Sequence, residues 1–118
     1  MTAIDGFILD DNVEFSELIA EFLLLDGLQA LQAATLAEGQ RLLTELTRLR
    51  FAVCDLRLPD GSAVEFVCKI CEKFPSAKVV AISGFCEQAD EDRLRQRGAI
   101  FMKKPLDFDA LKETLTGS

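Results

Sequence analysis

Five short apolar runs alternate with five amphipathic stretches along this chain, and that alternation constrains the fold more than any other feature. The apolar runs fall at residues 4–9, 28–34, 51–54, 78–82 and 100–103. The third, Phe51-Ala52-Val53-Cys54, carries no charged side chain and suits a strand buried on both faces of a parallel sheet. Between the runs, apolar residues recur at helical spacing. Phe15, Leu18, Ile19, Phe22 and Leu23 fall at i, i+3, i+4, i+7 and i+8. Leu42, Leu43, Leu46 and Leu49 line a second helix, and Val67, Ile70, Cys71 and Phe74 a third over 63–73. The fourth helix, over 87–97, is polar, with Ala89 and Leu94 its only clear apolar anchors. Phe108, Leu111 and Leu115 mark the last.

Local signals set the boundaries. Thr35 with Glu38, and Ser62 with Glu65, have capping-box spacing at helix starts. Asn12 or Asp11, and Asp107, supply further N-caps. Asp26-Gly27, Pro75 and Gly98 end helices. Strands and helices that alternate through short loops form a doubly wound α/β fold: a five-stranded parallel sheet with right-handed crossovers and helices on both faces. One domain over 1–118 is expected, and its length allows a real core. The residues after Leu115 read as a frayed tail or a cloning remnant.

Composition narrows the function. The net charge of -7 argues against direct nucleic-acid binding, which needs a basic patch. The apolar runs are too short to span a bilayer, and the start has no signal-peptide pattern, so a soluble cytoplasmic domain with no membrane partner is expected. Cys68 and Cys71 form a C-x-x-C, but there is no histidine, and Cys54 and Cys86 make no second pair. Cys71 lies on the apolar stripe of the third helix, so a small core residue is the better account than a zinc or redox site.

The carboxyl ends of the strands hold the chemistry. Strand one ends in Asp10 and Asp11, strand three in Asp55, strand four in Ser83 and strand five in Lys104. Strand two ends in nothing chemical. Alone, each has a plain reading: Asp-Asp at a strand end is commonly a helix cap, and Ser-Gly and Lys-Pro are ordinary loop dipeptides. Together they sit where open α/β sheets bind ligands, in the crevice beyond the strand ends. Three carboxylates in one pocket repel each other unless a cation intervenes. A hard divalent ion such as Mg²⁺ takes oxygen ligands and keeps water, so it can also hold a phosphoryl group. An Asp beside such an ion can attack phosphorus and form an acyl phosphate, with Lys104 and Ser83 on the remaining phosphoryl oxygens.

On four segments the chain resembles the receiver domains of two-component response regulators, the chemotaxis receiver among them. These are F-I-L-D-D-N from Phe7 to Asn12, C-D-L-R-L-P-D-G from Cys54 to Gly61, V-V-A-I-S-G from Val79 to Gly84, and F-M-K-K-P from Phe101 to Pro105. The resemblance implies a flavodoxin-like (βα)5 fold with strand order 2-1-3-4-5. It implies that Asp55 is the phosphoacceptor, supplied by a histidine kinase or histidine phosphotransfer protein. Asp11 would bind Mg²⁺ directly, Asp10 through water, and the Arg57 backbone carbonyl would complete the set with Asp55. Ser83 would be the switch hydroxyl, Phe101 the switch aromatic and Lys104 the phosphate partner, with a cis bond to Pro105. Phosphorylation would change the helix 4–strand 5–helix 5 surface, which would meet a downstream protein, an effector domain or a second copy. Such a domain is not an enzyme in the usual sense, since it catalyses only its own phosphorylation and dephosphorylation. The chain departs from the family in two respects. Only Ile100 separates Gly98-Ala99 from Phe101, one residue fewer than usual, and the aromatic is a Phe without a hydroxyl.

Three other classes compete. A phosphohydrolase of the haloacid-dehalogenase type wants a second Asp two residues after the first, where Arg57 stands. A flavin-binding relative wants a phosphate loop after strand one, where Asp10 and Asp11 would repel phosphate. A receiver-like interaction module that is never phosphorylated usually lacks part of the acidic set, and none is missing here.

Overall fold

The computed structural model of the chain describes residues 4–116. In chain order it forms β1 (Gly6–Leu9), α1 (Val13–Leu24), β2 (Ala30–Ala33), α2 (Leu36–Glu45), β3 (Phe51–Asp55), β4 (Arg57–Leu58), β5 (Gly61–Ser62), α3 (Val64–Lys73), β6 (Lys78–Ser83), α4 (Gln88–Gln96), β7 (Ile100–Lys103) and α5 (Phe108–Thr116). β4 and β5 are a small antiparallel hairpin. The other strands form one parallel sheet in the order β2-β1-β3-β6-β7, which is the expected 2-1-3-4-5 when sheet strands alone are counted. Residues 117–118, most of the expected frayed tail, lie outside the described residues.

Alternation along the strands builds two apolar layers. Phe7, Leu9, Ala52, Cys54, Val79 and Ala81 face one way and pack with Leu43 of α2, Phe66, Val67 and Ile70 of α3 and Leu94 of α4. Ile8, Phe51, Val53, Val80 and Ile82 face the other way, against Ile19 and Leu23 of α1 and Leu111 and Leu115 of α5. Such two-sided burial is why the central strands carry almost no polar residues. Gly6 is required by close approach, because a Cβ there would lie 2.2 Å from the Phe51 carbonyl oxygen. No helix among the described residues is long and apolar enough to cross a membrane.

The structure corrects several boundaries. β1 starts at Gly6 rather than Ile4, and Asp5 accepts the Gln29 N–H at 2.7 Å and pairs with Arg50. Leu18 is 54% exposed, so α1 buries Ser16, Ile19 and Leu23 instead. α2 ends at Glu45, and Leu49 reaches the core from the following loop. The Thr35–Glu38 capping box forms by half: the Glu38 N–H donates to Thr35 Oγ1 at 3.2 Å, while the Glu38 carboxylate accepts the Ala34 N–H at 3.4 Å in place of the Thr35 N–H. The Ser62–Glu65 box does not form. Ser62 pairs with Arg57 in the hairpin, Ala63 holds the N-cap position, and Glu65 meets Arg93 of α4. Ala89 is exposed, which leaves Leu94 as the one buried residue of α4. Cys68 is buried and Cys71 half-buried against the core, as free thiols.

Candidate functional site

Backbone pairing brings the expected residues to one edge of the sheet. Leu9 lies opposite Cys54, and Asp55 opposite Ile82, so the ends of β1, β3 and β6 stand side by side. The Lys104 N–H donates to the Ser83 carbonyl at 3.0 Å, which fixes the end of β7 beside β6. The Lys104-Pro105 bond is cis, as expected. The shortened loop does not disturb this edge. Gly98, at φ 97, turns the chain, and Phe101 pairs in register with Ala81.

Asp10, Asp11 and Asp55 each offer a carboxylate oxygen, and these lie within 4.8 Å of one another. Asp10 is 3% exposed and Asp55 5%, whereas Asp11 faces solvent. Asp10 Oδ1 accepts the Asn12 N–H at 2.9 Å, and the Asn12 side chain caps α1 through the Phe15 N–H at 3.1 Å. Asp55 Oδ1 accepts the Arg57 N–H at 3.0 Å, and Oδ2 accepts from Lys104 Nζ at 2.8 Å. Lys104 thus reaches in from the surface to neutralise part of a buried charge.

Burial pushes the Asp10 carboxyl above its ordinary range. The Asn12 amide opposes that shift, and the Asp55 charge adds to it. The bond to Asp55 pushes Lys104 up, which keeps it charged. A cation fits this donor set. Ligand oxygens of Mg²⁺ at 2.0–2.1 Å stand up to about 4 Å apart, so three carboxylates this close need little adjustment. Among the described residues, no other group of three or more such side chains gathers at metal-holding distance.

Ser83 lies at the same edge but is engaged elsewhere. Its hydroxyl donates to the Phe85 carbonyl and accepts the Phe85 N–H at 3.1 Å. Phe101 is half-buried, with the Arg95 guanidinium of α4 5.8 Å from its ring centroid. Arg57 supplies its N–H to Asp55, while its side chain is exposed.

Two features were not anticipated from the sequence. Asp60, given no role beyond its place in the C-D-L-R-L-P-D-G segment, sends its carboxylate to the N-terminus of α2. A cleft of about 430 Å³ also opens beside the acidic group, lined by Asp10, Asn12, Phe15, Lys104, Pro105, Leu106 and Phe108. The Phe15 and Phe108 rings, 5.9 Å apart, had looked like ordinary core positions. No spacing rule brings α1 and α5 together, so the cleft needed the tertiary fold.

Fold and site together define a doubly wound α/β domain with an acidic pocket at its carboxyl edge whose three carboxylates are spaced to take a cation. The sequence matches the family model of the response regulator receiver domain over residues 7–116. The chain belongs to that family. It is 33% identical over 109 residues to the photosynthetic apparatus regulatory protein RegA of Rhodovulum sulfidophilum, covering 92% of this chain and 59% of RegA. It is 31% identical over 111 residues to the response regulator protein PilR of Pseudomonas aeruginosa, covering 92% of this chain and 24% of PilR. The chain therefore spans only part of these relatives. Among solved structures it is similar to a response regulator of Burkholderia pseudomallei with a phosphorylated aspartic acid, calcium ion and citrate. That match has a TM-score of 0.84 at 23% identity and covers 97% of this chain and 67% of the other. The beryllofluoride-activated receiver domain dimer of NtrC4 matches with a TM-score of 0.79 at 26% identity, over 93% of this chain and 92% of that one.

Proposed function

We propose that this receiver domain is a Mg²⁺-dependent phosphoacceptor switch and that Asp55 carries the phosphoryl group. The observation that carries this reading is the placing of Asp55. It is buried, held by the Arg57 N–H and Lys104, and within 4.8 Å of Asp10 and Asp11. A carboxylate oxygen of Asp55 attacks the phosphorus of a phosphohistidine in a kinase or phosphotransfer protein. The new O–P bond forms as the P–N bond breaks, and the imidazole leaves with that electron pair. Asp11, Asp55 and the Arg57 carbonyl would hold Mg²⁺ directly and Asp10 through water, and the ion would neutralise charge on the transferring oxygens. Lys104 turns its ammonium from Asp55 Oδ2 to a phosphoryl oxygen. Attack by water on the same phosphorus returns the free carboxylate, so the domain acts only on itself. The cleft lined by Phe15, Leu106 and Phe108 opens on Asp10 and Lys104 and offers an apolar seat to the phosphodonor.

The output follows from two side chains. Ser83 leaves the Phe85 carbonyl and donates to the phosphoryl oxygen, drawing in the loop Gly84-Phe85-Cys86. Phe101 leaves Arg95 and turns inward, and the surface of α4, β7 and α5 then meets a downstream protein or a second copy. This is a population shift between two states. Support comes from α4, which has a single buried residue and so moves at low cost.

Acetyl phosphate with Mg²⁺ should add one phosphoryl mass to the intact protein. Asp55→Asn, or chelation of the metal, should abolish the adduct. An equal yield in either would overturn the assignment.

A further inference from the structure

The hairpin that follows Asp55 is fastened to the far side of the site by Asp60. Asp60 Oδ1 accepts the Leu36 N–H at 2.9 Å, and Oδ2 accepts the Ala37 N–H at 3.2 Å. These are free donors of the first turn of α2, where a carboxylate also meets the partial positive charge of the helix end. The bonds hold the Asp60 carboxyl below its usual range although the residue is exposed. A helix cap ordinarily comes from the residue just before the helix, and Thr35 already fills that role through the Glu38 N–H. Asp60 reaches the same helix end from 24 residues away. Its bonds therefore join two separate segments rather than complete one helix.

The hairpin transmits this anchorage to the acidic pocket. Asp60 lies in its turn, Leu58 pairs with Gly61, and Arg57 pairs with Ser62. Gly61, at φ 139, lies beside α2, where a Cβ would make ordinary van der Waals contact with Leu36 Cδ1 at 3.4 Å. At the other end of the hairpin, the Arg57 N–H holds Asp55 Oδ1. We propose that Asp60 is a positioning residue for the phosphoacceptor site. By tying the hairpin to α2 it fixes the Arg57 backbone, and through it the Asp55 carboxylate, in place beside Asp10 and Asp11. This rests on the Mg²⁺ and Asp55 assignments proposed above.

The test compares Asp60→Ala, Asp60→Asn and Thr35→Ala with the wild type. Mg²⁺ affinity is measured by calorimetry, and exchange of the Arg57 amide by NMR in metal-free protein. Loss of a group that orients a metal ligand typically weakens binding 10–100-fold, and Asp60→Ala should raise the Mg²⁺ dissociation constant about tenfold, at the low end because it acts through the hairpin. It should also speed Arg57 exchange. Asp60→Asn keeps one of the two acceptor oxygens and should restore part of both. Thr35→Ala strips the same helix end of a cap without touching the hairpin, so it should lower stability and leave both readings at wild type. Wild-type affinity in Asp60→Ala, or the same loss in Thr35→Ala, overturns the proposal. A wild type that neither binds Mg²⁺ nor accepts phosphoryl overturns the phosphoacceptor reading itself.

Discussion

Asp10 is held where its charge is unfavourable without a cation. It is buried, it faces the Asp55 charge, and its carboxyl is pushed above the ordinary value of 3.8. For a carboxyl raised in the folded state, the native protein binds the proton more tightly than the unfolded chain. Stability therefore falls as pH rises from 3.8 through the folded value, and the deficit persists at neutral pH. Replacing Asp10 by Asn removes the charge and keeps an acceptor for the Asn12 N–H. Metal-free Asp10→Asn should therefore melt higher than the wild type at neutral pH and lose the gain in acid. Thermal melts across pH check it, and a variant that melts lower than wild type at neutral pH would contradict it. At this scale the site was legible. Asp10, Asp11, Asp55 and Lys104 announce themselves by standing at strand ends. Asp60 did not, because its partners lie on another element and the P-D-G around it is an ordinary turn signal.

Among the elements, α4 is the least secured. Its buried contact is Leu94, and its remaining ties to α3 are Arg93 to Glu65 and Arg97 to Glu72. These ion pairs join side chains open to water, which screens them, so they secure the helix only weakly. Truncating a fully buried Leu costs about 2–5 kcal/mol. Leu94→Ala should thus destabilise by that amount in chemical denaturation and speed amide exchange across α4 first. A cost below about 1 kcal/mol would mean that the ion pairs hold the helix. The polar sequence of α4 foretold this weakness. The capping box at Ser62 misled, because local spacing says nothing of a hairpin that claims Ser62 first.

Across the whole molecule, the parallel sheet and its two apolar layers follow from the alternation of apolar runs, whereas the strand order followed only from the resemblance to receiver domains. What the chain order could not disclose is how distant elements meet: Phe15 on Phe108, or Asp60 on α2. The phosphoacceptor reading rests on that assembled edge, and its most direct test is chemical. Protein treated with acetyl phosphate and Mg²⁺ is reduced with borohydride, which converts an aspartyl phosphate to homoserine, and the product is digested and mapped by mass spectrometry. The reading predicts homoserine at position 55 alone, and none when Mg²⁺ is chelated. Homoserine at another aspartate, or its absence at position 55 with Mg²⁺ present, would contradict it.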